Sequence, residues 1–256
     1  MRKSYFIIIF LLAFSPGAMY HNPVAEKGII YLTFDDGPQQ GSENVNDVVL
    51  KEKIKVDVFL VGKYALLSDA NMDNYELYAE NPYVERCNHS FTHGNMHYEL
   101  FYLNPLNAYD DFALNGYMLQ LNNTICRLPG CNTWRLPQRS YSATKPGNKT
   151  ANLLAANGAR IFGWDLQWDY SPKTNTPLQT PDEMIALVDS LMSYKRTFTP
   201  GHIVISCNDQ MFKHSAQKLQ LFEFIGKLKA TGSYRFEHLS KYPNAGVIFE
   251  SREVAD

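Results

Sequence analysis

The chain has no block of like charge, no internal repeat, no low-complexity tract and no Gly/Ser-rich linker. With 24 basic and 26 acidic residues its net charge is −2, so it carries no electrostatic footprint for nucleic acid or an anionic membrane. The expected partner is small or neutral, and one domain is the simplest organisation. Cysteine is scarce: Cys87, Cys126, Cys131 and Cys207 are the four present, and their spacing is no zinc-finger pattern. The apolar stretch Tyr5 to Phe14 is about half of the ~20 residues that a membrane-spanning helix needs. Preceded by Met1-Arg2-Lys3 and followed by Ser15-Pro16-Gly17-Ala18, it reads instead as a secretory signal peptide. Residues 1–18 are therefore expected to be a leader cleaved near Gly17 or Ala18, and residues 19–256 one α/β domain large enough to bury a core. Disulfides persist in exported chains. Cys126 can pair with Cys131, and Cys87 with Cys207; four buried thiols is the competing reading.

β-type runs are present at Ile29–Phe34, Val56–Gly62, Val84–Asn88, Ile125–Arg127, Arg160–Trp164, His202–Cys207 and Tyr234–His238, alternating with segments of helical period. That alternation favours a parallel α/β architecture. Helical stripes fall at 43–53, 108–121 and 216–230, and Thr180-Pro181-Asp182-Glu183 forms an N-cap with a capping box for a helix to about Tyr194. The segments 129–148 and 169–180 are rich in Pro, Asn, Ser and Thr and read as long loops. Aromatic residues make up 13% of the chain, Trp134, Trp164 and Trp168 among them. Flat apolar faces of this kind suit sugar rings, although most aromatics fill cores.

The chemistry concentrates at Asp35-Asp36, which close the run Gly28 to Phe34 and precede Gly37-Pro38. Adjacent carboxylates raise one another's pKa unless a cation lies between them or they divide the work as ligand and base; a turn whose Asp residues cap backbone amides is the bland alternative. Downstream, His89-Ser90-Phe91-Thr92-His93 places two imidazoles four residues apart, on one face if the chain turns helical there. His97 continues the spacing but reads as a surface residue. Two His and one Asp make a three-ligand zinc set with an open position, and the second Asp is then free as a base.

In these motifs, Thr33-Phe34-Asp35-Asp36-Gly37-Pro38 and His89 to His93, the chain resembles the polysaccharide deacetylases of the NodB-homology, carbohydrate esterase family 4 type. The resemblance spans roughly residues 28–239. It implies an α/β fold, a distorted (β/α) barrel in a single domain, with the site at the strand C-termini. It also implies that Asp36, His89 and His93 hold a divalent metal, most simply Zn²⁺ with Co, Mn and Ni as alternatives, and that Asp35 is the catalytic base. The family's Arg-x-Pro motif, whose arginine orients the base, has two copies here, Arg127-Leu128-Pro129-Gly130 and Arg135-Leu136-Pro137. Arg127 is favoured because it comes directly off a short β-run, with Pro129 and Gly130 beside the substrate, whereas Arg135 reads as a loop residue. Phe162 to Trp168 matches the fourth motif in part: Gln167 stands where an acid is expected, leaving Asp165 as the carboxylate of that segment and Trp168 as a wall of the acetyl pocket. The fifth motif departs further. Asn208-Asp209 replaces the usual His-Asp, and an amide transfers no proton, which costs about 10²–10⁴-fold where acid catalysis is lost. His202 begins its strand and so is placed at the far end from the site.

The resulting expectation is an exported, monomeric, metal-dependent hydrolase that removes N-acetyl groups from an amino-sugar polysaccharide of a bacterial cell envelope, peptidoglycan or chitin-type. A catalytically impaired carbohydrate-binding protein of the same fold is the alternative, and a hydrolase of non-sugar amides a third.

Overall fold

The structure is a computed structural model and describes residues 27–243; the leader segment lies outside them. In chain order the elements are β1 (Gly28–Gly37), α1 (Ser42–Glu52), β2 (Val56–Leu60), α2 (Gly62–Ala65), α3 (Asp69–Glu80), β3 (Val84–Asn88), α4 (Tyr98–Leu103), α5 (Pro105–Met118), β4 (Ile125–Cys126), β5 (Thr133–Leu136), β6 (Arg139–Ser142), α6 (Asn148–Ala156), β7 (Arg160–Ile161), β8 (Leu166–Gln167), α7 (Pro181–Ser193), β9 (His202–Asn208), α8 (Ser215–Ala230) and β10 (Tyr234–Phe236). The seven β-type runs read from the sequence all form strands. The capping box at Thr180 is present, its hydroxyl accepting from the Glu183 amide while the Glu183 carboxylate accepts from the Thr180 amide.

One sheet of order β6-β5-β7-β4-β3-β2-β1-β9-β8 contains them, with β10 added against β1. Its main strands run parallel, which requires helical crossovers and buries both faces. Alternation along β1 sends Ile30, Leu32 and Phe34 outward, where they pack with Val45, Val48 and Val49 of α1, Met184 and Val188 of α7 and Leu221, Phe224 and Ile225 of α8. Tyr31 points the other way and shares an interior cluster with Phe59, Ile125, Trp134, Phe162 and Val204. Strands from the middle and from one end of the sheet meet in that cluster, so the sheet curls into a distorted barrel with side chains filling its axis.

The segment read as a loop from Pro129 to Asn148 contains the antiparallel hairpin β5–β6. Its exposed, polar outer strand, Arg139–Ser142, lacks the apolar alternation that betrays a strand. Arg135 accordingly sits in a strand, not a loop, and its guanidinium bonds Trp134 O, Tyr141 O and the side chains of Ser142, Asn148 and Asn152. All four cysteines are buried free thiols, with no disulfide among them.

Candidate metal and catalytic site

A regular strand points successive side chains to opposite faces, which would send only one of Asp35 and Asp36 inward. The end of β1 departs from that rule. Asp35 pairs with Phe59 and Gly37 with Leu60, so Asp36 is the extra residue of a bulge against β2. Its φ is +67°, a left-handed conformation that Asp tolerates better than a β-branched residue does. The bulge re-aims the side chain, and both carboxylates line one cavity.

Arg127 follows β4 and is completely buried. Its Nη1 donates to Asp35 Oδ1 (2.7 Å) and to Thr33 Oγ1 (2.7 Å), while Nε and Nη2 donate to the carbonyls of Phe162 (3.1 Å) and Gly163 (2.8 Å). The guanidinium also lies 4.1 Å from the Phe59 ring centroid. Four strands therefore fix its position. The other oxygen of Asp35 accepts from Ser206 Oγ on β9 (2.7 Å).

The chain does not turn helical between His89 and His93: Ser90 and His93 have φ of +69° and +55°. The two rings meet instead through a tight loop, centroids 5.0 Å apart. Asp111 Oδ2 accepts from the amides of Phe91 and Thr92, Asn88 Oδ1 accepts from the Ser90 amide, and Asn115 Nδ2 ties Asn88 to the Leu60 carbonyl. Three polar groups from β3 and α5 thus replace the helix as the device that fixes the imidazoles.

Asp36 Oδ1 lies 2.8 Å from His93 Nε2 and 3.3 Å from His89 Nε2. Burial pushes the Asp36 carboxyl up, but its hydrogen bonds with His89 and His93 outweigh this and hold it well below the usual carboxylate range. Burial likewise disfavours the charged form of His89, and the contact with Asp36 more than offsets it, so the ring's pKa is raised. His89 Nδ1 is 2.9 Å from the Arg127 carbonyl. A carbonyl only accepts, so Nδ1 carries the hydrogen and a neutral ring presents the lone pair of Nε2 to a carboxylate oxygen. Two acceptors facing each other at 3.3 Å need a cation or an extra proton between them. The three ligand atoms lie within 4.8 Å of one another, so the residues fit a divalent metal with an open position.

Asn208, at the end of β9, donates from Nδ2 to Asp36 Oδ2 (2.5 Å), and its Oδ1 accepts from the Gln210 amide (3.0 Å). That second bond fixes the amide's orientation, so its N–H faces the carboxylate. A residue holding a metal-ligating carboxylate in this way tunes affinity. With added zinc as the probe of the Asp36, His89 and His93 cluster, Asn208→Ala is expected to weaken binding by about 10–100-fold, measured by competition with a chromophoric chelator; unchanged affinity would show that the bond contributes nothing to the cluster.

Of the remaining sequence-derived residues, Gly130 and Trp168 line the cavity. Gly130 has φ of +67°, and a Cβ there would lie 2.5 Å from the Tyr98 ring. Trp168 is buried, its indole N–H bonded to the Gln179 carbonyl (2.9 Å). Pro129 and Asp165 do not reach the wall. The Pro129 carbonyl accepts from Tyr102 (2.8 Å). The Asp165 carboxylate accepts from the Val204 amide (2.8 Å) and the Phe198 amide (2.5 Å), and burial raises its pKa to about 6 despite those bonds. It locks β9 rather than facing a ligand. Sequence reasoning missed Ser206, Tyr98 and Tyr170 on the wall, because each lies on a different element and none belongs to a motif. His202 is at the opposite end of β9, 3.0 Å from the Tyr31 hydroxyl.

The polysaccharide deacetylase family model matches residues 22–146, a span just under half of the chain that contains Asp35, Asp36, His89, His93 and Arg127. Among relatives, it is 26% identical over 206 residues to a chitin disaccharide deacetylase from Vibrio alginolyticus, covering 56% of this chain and 48% of that protein. The chain thus spans about half the length of this curated relative. Among solved structures, a CE4 esterase from Streptococcus mutans superposes with a TM-score of 0.61 at 20% identity, covering 82% of this chain and 86% of that one. A CE4 family pseudoenzyme from Bacillus anthracis superposes with a TM-score of 0.57 at 17% identity over 85% and 65% of the two chains. These likenesses fix the fold as the distorted barrel of that family. Among the described residues no helix is long and apolar enough to cross a membrane.

Proposed function

We propose that the protein is a zinc-dependent deacetylase of N-acetylated amino-sugar polysaccharide, exported by the leader in residues 1–18 and acting as a monomer through residues 19–256. The observation that carries this reading is the division of the acidic pair. Asp36 faces two imidazole nitrogens, whereas the Asp35 oxygens are bonded to the Arg127 guanidinium (2.7 Å) and the Ser206 hydroxyl (2.7 Å). A divalent ion held by Asp36, His89 and His93 would supply Lewis acidity, polarising the acetamide carbonyl and lowering the pKa of water from 15.7 toward about 7.

Asp35 Oδ2 is positioned by Ser206 to take the proton of the attacking water, and Arg127 holds the other oxygen of that carboxylate. Among the described residues lining the cavity, Asp35 and Asp36 are the only carboxyl groups, and His89 and His93 the only imidazoles. The amide of Asn208 donates to Asp36. The proton that Asp35 has accepted is therefore the one available to the leaving amine, so Asp35 serves in turn as base and acid. The cavity is about 240 Å³, below the roughly 300–1,000 Å³ of drug-sized ligand pockets, which suits one acetylated sugar with the rest of a polymer lying across the mouth. Trp164, Tyr98 and Tyr170 at its wall offer faces for sugar rings.

The absence of a second acid favours one alternative, a binding protein of the same fold with little turnover. The two readings separate on acetate release from N-acetylglucosamine oligomers by the zinc-loaded protein. Acetate that appears with zinc and vanishes on chelation supports the deacetylase. Oligomer binding without acetate, with turnover appearing in Asn208→His, supports the impaired binder.

A further inference from the structure

A second group of ligating side chains lies at the other end of the barrel. β10 and β2 share one edge of β1, β10 along Gly28–Ile30 and β2 from Leu32 onward. The chain leaving β10 therefore passes beneath the start of β2 and brings His238 to Asp57 of β2 and Glu85 of β3. Neither acid belongs to any motif, and Asp57 is completely buried. A carboxylate oxygen from each acid and a ring nitrogen of His238 lie within 4.8 Å of one another.

The hydrogen-bond accounting leaves this group incomplete. Asp57 accepts from the Leu239 amide (3.2 and 3.1 Å) and Glu85 from the Ser240 amide (3.2 Å). Of the cations around it, Lys55 and Arg235 ion-pair with Glu237, and Arg127, whose charge reaches Asp57, is paired with Asp35. His238 Nδ1 is buried with no partner among the described residues, and it stands 4.0 Å from Asp57 Oδ1. That is too far for a hydrogen bond and compatible with both atoms binding one ion at about 2.0–2.2 Å. A proton shared by Asp57 and Glu85 would relieve their repulsion, but it leaves that nitrogen unused.

We propose that Asp57, Glu85 and His238 form a second binding site for a divalent transition-metal ion, opposite the catalytic end of the barrel. Two carboxylates and one imidazole are the oxygen and nitrogen donors that Zn²⁺ or Mn²⁺ takes. Glu85 and His238 are each partly exposed, which gives the ion a way in from the barrel floor. The ion ties the segment after β10 to β2 and β3, so it acts on stability and not on turnover.

The proposal is independent of the deacetylase reading, and zinc stoichiometry of the full chain after equilibrium dialysis tests it. Wild type is expected to hold two equivalents, His89→Ala/His93→Ala one, and His238→Ala and Glu85→Gln one each, the latter two with acetate release unchanged. In His89→Ala/His93→Ala, zinc at ~100 times its Kd is expected to raise Tm by about 5–10 °C. One equivalent in wild type together with none in His89→Ala/His93→Ala overturns the proposal. So does a second equivalent that survives both His238→Ala and Glu85→Gln.

Discussion

Asp35→Asn is expected to lower acetate release by about 10²–10⁴-fold, the usual worth of a positioned general base, with zinc still bound. The amide is nearly isosteric with the carboxylate, so the Ser206 contact and the Asp36, His89 and His93 geometry are retained. In the proposed mechanism, what is lost is the proton acceptor, and with it the group from which the leaving amine would draw its proton. With one carboxyl group proposed for both steps, the fall is expected in kcat, with KM for N-acetylglucosamine oligomers little changed. A variant that keeps more than a tenth of wild-type kcat would remove Asp35 from the reaction. Loss of zinc in the same variant would mean instead that the acidic pair binds the metal as a unit.

Arg127→Met carries the largest expected cost in stability, about 3–5 kcal/mol, read from urea or guanidinium denaturation. Methionine fills much of the volume and keeps the contact with Phe59. Removing the guanidinium leaves the Asp35 carboxylate unpaired and strips the Phe162 and Gly163 carbonyls and Thr33 of a buried donor. Each such orphan costs on the order of 1–3 kcal/mol. Arg127 joins β1, β4 and the strand end at Phe162, so it contributes to barrel closure as well as to the base. A loss below about 1 kcal/mol would show that the barrel closes without it.

The strands were legible because parallel strands buried on both faces must be largely apolar, as Ile29–Leu32 and Ile203–Ile205 are. The hairpin β5–β6 was not, because its outer strand is solvated and needs no apolar face. The cluster of Asp36, His89 and His93 was legible because coordination chemistry restricts both residue type and number, so that one acid and two imidazoles stood out whatever path joined them. The path itself was not. A spacing of four suggested a helical turn, but the carboxylate and amide groups of Asp111, Asn88 and Asn115, distant in sequence, hold a loop there instead.

The acidic pair shows the same boundary. By itself the sequence determined the chemistry available at Asp35-Asp36, the histidines that would share it and the family that the chain resembles. Only the tertiary structure decided which way each carboxylate points, because a one-residue bulge against β2 sets both on the same wall. It also gave Asn208 its partner. In the sequence that residue is a missing acid; in the fold its amide is fixed by Gln210 and turned to Asp36. Asp57, Glu85 and His238 had no signal at all, since their proximity arises from two strands sharing one edge of β1, a pairing that no local pattern encodes.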